Sequence, residues 1–144
     1  MQIKISYVME PDFIPAFDEL LKKPMPAKQC LEMITSSEKI TEEYNRLMKA
    51  QLLVLQQYCV MKDDGTLKFD DKGNVVFKDK ESETAGNKEV ADLKSGTIEI
   101  PLTNKVKVYD DDVSTPRKIF LLKDLIEIVE RPAAPLMPGQ EVKK

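Results

Sequence analysis

The chain has 144 residues, 42% hydrophobic and 33% charged, with a formal net charge of −3. That size and balance suit one domain with a modest core, and the small negative charge supplies no field that would draw nucleic acid or an acidic membrane. No histidine is present, which removes the commonest general base, the commonest zinc ligand and every Ser-His or Cys-His nucleophile pair.

Met1 to Ile5 lack the apolar core of a signal peptide, so a cytoplasmic setting is expected. Gln2 to Val8 alternate Ile3, Ile5 and Tyr7 against Gln2, Lys4 and Ser6, which predicts a short edge strand. Glu10 to Leu21 predict a helix with Phe13, Ile14, Phe17, Leu20 and Leu21 on one face, and Pro15 is tolerable in its first turns. Pro24-Met25-Pro26 then enforces a corner.

Ala27 to Met61 read as one long amphipathic helix without internal Gly or Pro, closed by Lys62-Asp63-Asp64-Gly65. Leu31, Ile34, Tyr44, Leu47, Met48, Leu55 and Tyr58 recur at helical spacing. Its length of about 50 Å exceeds what a domain of this size needs, so one end is expected to project or to meet a partner. Thr35-Ser36-Ser37-Glu38 matches a capping box, so these residues either face solvent within a continuous helix or break it near Ser36. Cys30 and Cys59 stand about 44 Å apart along a straight helix and cannot bridge; both are expected to be small buried hydrophobes. The apolar run Leu52 to Leu55 is far too short to span a membrane.

After Gly65 the period becomes two. Thr66 to Phe69 and Asn74 to Phe77 flank Asp70-Asp71-Lys72-Gly73, which predicts a hairpin. Asp79 to Lys94 is polar around Gly86-Asn87 and reads as two poor helical turns or a loop. Gly96 to Ile100 and Lys105 to Tyr109 predict two strands, the first at an edge or stopping at Pro101. Asp110-Asp111-Asp112 is a loop, and Ser114-Thr115-Pro116 can cap the segment Arg117 to Arg131. That segment is either a helix apolar on most sides or, the preferred reading, a strand through Leu121 followed by a short helix. Pro132 to Lys144 form an extended, Pro-rich tail. The expected architecture is α+β: one long central helix packed against a small antiparallel β unit (hairpin plus short strands), with short flanking helices. A single domain over 1–131 precedes the tail at 132–144.

Carboxylates are the remaining candidates for chemistry. Asp63-Asp64, Asp70-Asp71 and Asp110-Asp111-Asp112 lack the alternating ligands, central Gly and distal Glu of an EF-hand, and read as solvated turn residues. The glycines are isolated, so no phosphate cradle exists, and with three arginines among scattered lysines, nucleic-acid readout is thinly supplied. No catalytic residue, metal, cofactor, small-molecule substrate, nucleic acid or membrane partner is expected. Surfaces for other proteins remain, with Leu52, Leu53, Phe120, Leu121, Leu136 and Met137 as candidate interface residues.

The layout also carries a resemblance. A short leading helix, Pro26-Ala27-Lys28 opening a long charged helix, Lys62-Asp63-Asp64-Gly65 closing it, and Asp71-Lys72-Gly73-Asn74 within a hairpin follow in order. A polar segment, a small β unit over Gly96 to Val108 and Leu122-Lys123-Asp124-Leu125 complete it. From about Phe13 to Leu125 this layout resembles a group of small uncharacterised proteins encoded by tailed bacteriophages. The N-terminal strand, the Lys105 to Tyr109 strand and the tail depart from that pattern. The resemblance implies a phage origin and transfers no catalytic motif. The expected function is a non-enzymatic structural or assembly component of the particle, associated with its head, neck or tail. Its partners would be other phage structural proteins and copies of itself, in the host cytoplasm during assembly and then in the virion. The alternative is an early phage protein that binds and inhibits a host protein.

Overall fold

Good helix formers without a breaker carry the longest element, and the prolines before it set its start. In the computed structural model, which describes residues 1–112 and 114–131, this helix is α3, Ala27–Tyr58. Before it come β1 (Gln2–Lys4), α1 (Ile5–Val8) and α2 (Phe13–Leu21). After it come α4 (Lys80–Leu93), β2 (Thr97–Glu99), β3 (Val106–Tyr109), α5 (Pro116–Leu122) and β4 (Ile126–Val129). The fold is α+β, as expected. The tail at 132–144, with Leu136 and Met137, lies outside the described residues.

α3 is continuous through Ser36. That residue faces the core rather than solvent: it is fully buried, and its hydroxyl donates to the Glu32 carbonyl at 2.7 Å, one turn back. This local bond satisfies the side chain without breaking the helix. Met33, Ile40 and Leu47 bury the same face against the core formed by Ile3, Val8, Phe13, Phe17, Ile100 and Leu125. α2 packs on α1, α3 and α5.

Four local expectations are corrected. The alternating run after Lys4 is a short helix, because Ile5 and Val8, three apart, both reach the core. α4 is a full 14-residue helix rather than two poor turns or a loop. Asp79 caps it by accepting from the Ser82 N–H at 2.7 Å, and Glu81 and Glu83 suit its positive end. The segment after Thr115 runs helix then strand: Thr115 accepts from the Lys118 N–H, and Pro116 occupies the first turn of α5. The β unit is only partly antiparallel. β1 pairs antiparallel with β2, whereas β3 and β4 are parallel, with Val106 opposite Ile126 and Val108 opposite Ile128.

The hairpin expected after Gly65 is two sides of a closed triangle. Met61 pairs with Leu67, Phe69 with Val75, and Phe77 returns to Cys59. Three amides eight residues apart form a cycle. Val60 donates to the Val76 carbonyl at 2.7 Å, Val76 to Lys68 at 3.1 Å, and Lys68 to Val60 at 3.0 Å. The corners repeat at the same interval: Lys62 donates to Thr66, Asp70 to Asn74, and Lys78 to Tyr58, where α3 enters and α4 leaves. Gly65 and Gly73 turn two corners with φ of 85° and 80°. The triangle caps an arm made of the far half of α3 and α4. Gly86 brings α4 close, since a Cβ there would lie 3.0 Å from the Phe77 ring and 3.2 Å from Tyr58 Cβ.

Candidate interaction surfaces

At 100° per residue, the buried residues of α3 share one face, and a second set of large apolar side chains lies opposite. Leu31 (68% exposed), Ile34 (52%), Met48 (41%), Leu52 (45%) and Leu53 (61%) all stand on that outer face. They fall within about 140° of the helix circumference. The spacing of Leu31, Ile34 and Met48 therefore marks a second stripe, not an extension of the buried one. Glu38, Thr41, Asn45 and Lys49 separate the two apolar ends and are exposed. α4 packs on the other side, where Gln51, Leu55 and Val90 meet at one groove.

The candidate interface residues divide. Leu52 and Leu53 lie together on this outer face. Phe120 is also exposed, but on α5, where it meets Tyr7 edge to face at 5.5 Å and lies under the Lys123 ammonium at 4.6 Å. Leu121 is a correction: at 3% exposure it belongs to the core, because the next residue along a helix turns away by 100°.

A second concave surface of about 980 Å³ opens between the Pro24–Pro26 corner, the first turns of α3 and the strand β3. Lysines scattered in sequence gather here: Lys22, Lys28, Lys105 and Lys107 line it and form no ion pair among the described residues. Of the four acids that line it, Glu19, Glu32 and Asp112 are engaged, and Glu127 has no partner among the described residues. Glu32 accepts from the Thr103 hydroxyl at 2.6 Å and from its N–H at 3.2 Å. These bonds, the hydroxyl first, hold its pKa below the ordinary glutamate range. Glu19 is likewise lowered, chiefly by its bond from Lys118. Asp112 bridges Lys23 at 3.1 Å and Arg131 at 3.0 Å, and Arg131 stacks over the Tyr109 ring at 4.2 Å. Glu19 and Glu32, held ionised in this way, are weak bases, and the lysines beside them suit the groove to an anionic group more than to proton transfer.

One aspartate in each of the first two turns bonds within its own loop, and Asp111 and Asp112 bond to Arg131. Asp64 accepts from the Thr66 hydroxyl and N–H, and Asp70 from the N–H groups of Lys72 and Asn74. No group of three or more His, Cys, Asp or Glu among the described residues is placed to hold a metal ion. Cys59 is buried, which pushes its thiol pKa up, and Cys30 is half-buried with its thiol directed at the Met25 carbonyl. No described helix is long and apolar enough to cross a membrane.

Comparison with known proteins gives no match: no family model, no curated protein and no solved structure is significantly similar to this chain. Neither the outer stripe of α3 nor the triangle was found from the sequence, though both have a signal there. Leu31, Ile34, Met48 and Leu52 keep three- and four-residue steps with Glu38, Thr41 and Asn45. The triangle shows as an eight-residue repeat, with Cys59, Leu67 and Val75 at one position and Met61, Phe69 and Phe77 two residues later.

Proposed function

We propose that this protein acts by protein–protein contact, as a non-enzymatic structural or assembly component of a tailed bacteriophage particle. The observation that carries the contact reading is the outer face of α3, where five large apolar side chains are exposed along one helix. Scattered apolar residues on a surface are ordinary; a row of them on one rigid element is the pattern of a docking site. The phage setting rests on the resemblance of layout from Phe13 to Leu125, and the other structural proteins of such a particle are the partners it implies. The test is quantitative mass spectrometry of purified particles, with a time course of expression in the infected cell. Presence at a fixed copy number per particle supports the reading. Early synthesis and absence from particles overturn it and favour an inhibitor of a host protein.

A further inference from the structure

The outer face of α3 has a polarity pattern that fits its own image. Leu31, Ile34, Glu38, Thr41, Asn45, Met48 and Leu52 follow one another at alternating three- and four-residue steps, the seam along which two helices pack. We propose that two copies of this chain pair antiparallel along that seam, about a twofold axis level with Glu43. The inference rests on the contact reading above and names a second copy as the occupant.

In that register Ile34 of one copy stands opposite Leu52 of the other, and Thr41 opposite Asn45. The twofold repeats each pair, as an isologous interface requires. Glu38 then stands within one residue of the second copy's Lys49, also twice. Both side chains are exposed, and neither forms an ion pair among the described residues. A parallel pairing would instead set Glu38 against Glu38 and Lys49 against Lys49. The two Glu38–Lys49 pairs favour the antiparallel arrangement, set against the approach of Glu42 to its own image near the axis.

The size is adequate. The five exposed apolar residues leave about 500 Å² per copy uncovered, so pairing removes up to about 1,000 Å² before the polar residues between them are counted, the lower range of specific interfaces. On the helix circumference the buried face of α3 lies about 140° from the seam, and the residues that meet α4 lie about 100° from it.

Sedimentation equilibrium of the full chain tests this, with circular dichroism confirming that each variant is folded. The parent is expected to be a dimer. Leu52→Glu raises the dimer dissociation constant about 100-fold, since two leucines lose their burial. Glu38→Lys raises it about tenfold, and Glu38→Lys combined with Lys49→Glu returns it to within about threefold of the parent. A parent that stays monomeric at about 100 µM overturns the proposal. So does a dimer indifferent to Leu52→Glu, one that the charge exchange fails to restore, or one lost only on removing residues 132–144. The two readings fail separately: a confirmed dimer missing from particles overturns the proposed function alone, and a monomer found in particles overturns this inference alone.

Discussion

Glu32 shows how single residues fasten the loop after β2 to α3, with Gln29 beside it donating to the carbonyls of Asn104 and Lys105. Because the folded-state pKa of Glu32 is lowered, its bonds contribute stability that is complete above the unfolded value of about 4.3 and lost as pH falls through the folded value. Thr103→Val removes the hydroxyl that is the main cause. The variant is expected to be less stable than the parent at pH 7, with the difference shrinking below about pH 4; urea midpoints at several pH values check this. Gly86 makes a steric prediction. Gly86→Leu forces a side chain between Phe77 and Tyr58, and is expected to cost about 1–3 kcal/mol in thermal unfolding. Had the site been open, a larger residue would have stabilised this helix, since glycine is a poor helix former.

Elements divide according to whether their cause is local. α3 was legible because its helix formers lie within it and Pro24 and Pro26 directly precede it, and Gly65 and Gly73 were legible because a positive φ leaves few alternatives. Ile5 to Val8 misled because one turn of helix and a strand both place Ile5 inward. The parallel pairing of β3 with β4 was not legible, since it depends on a crossover through α5 that no local pattern records. Closure of the triangle is equally non-local, because its third corner joins Tyr58 to Lys78 across two turns. That closure predicts shared fate: hydrogen exchange at the Val60, Lys68 and Val76 amides should proceed with one common opening free energy. Three unrelated values would show that the corners open independently. Gly73→Ala isolates the strain at one corner, since its Cβ meets nothing within 4 Å. A loss of about 1–2 kcal/mol is expected, measured by denaturant unfolding.

At the scale of the molecule, the long helix joins a body, where its first half is buried, to an arm, where its second half carries α4 and the triangle. The candidate surfaces became visible only at this scale. Leu31 and Leu52 are 21 residues apart in sequence yet share one face, and Lys22 and Lys105 meet only because the Pro24–Pro26 corner faces β3. Whole-molecule stability is expected to be independent of divalent metal. Asp64 and Asp70 each turn one oxygen to their own loop, and no group of three acidic or thiol ligands converges among the described residues, so EDTA should leave the melting temperature unchanged, and a shift of several degrees would reveal a bound ion. The triangle has a last consequence for how the arm meets other molecules. A short sheet normally presents a row of free backbone groups that a foreign strand can extend. Here Val60, Lys68 and Val76 spend both backbone groups on the cycle, so each side leaves at most two residues, such as Leu67 and Phe69, for a foreign strand to meet. Whatever recognises it must rely chiefly on side chains, Phe69 foremost, because edges this short are poor templates for fibre-like growth.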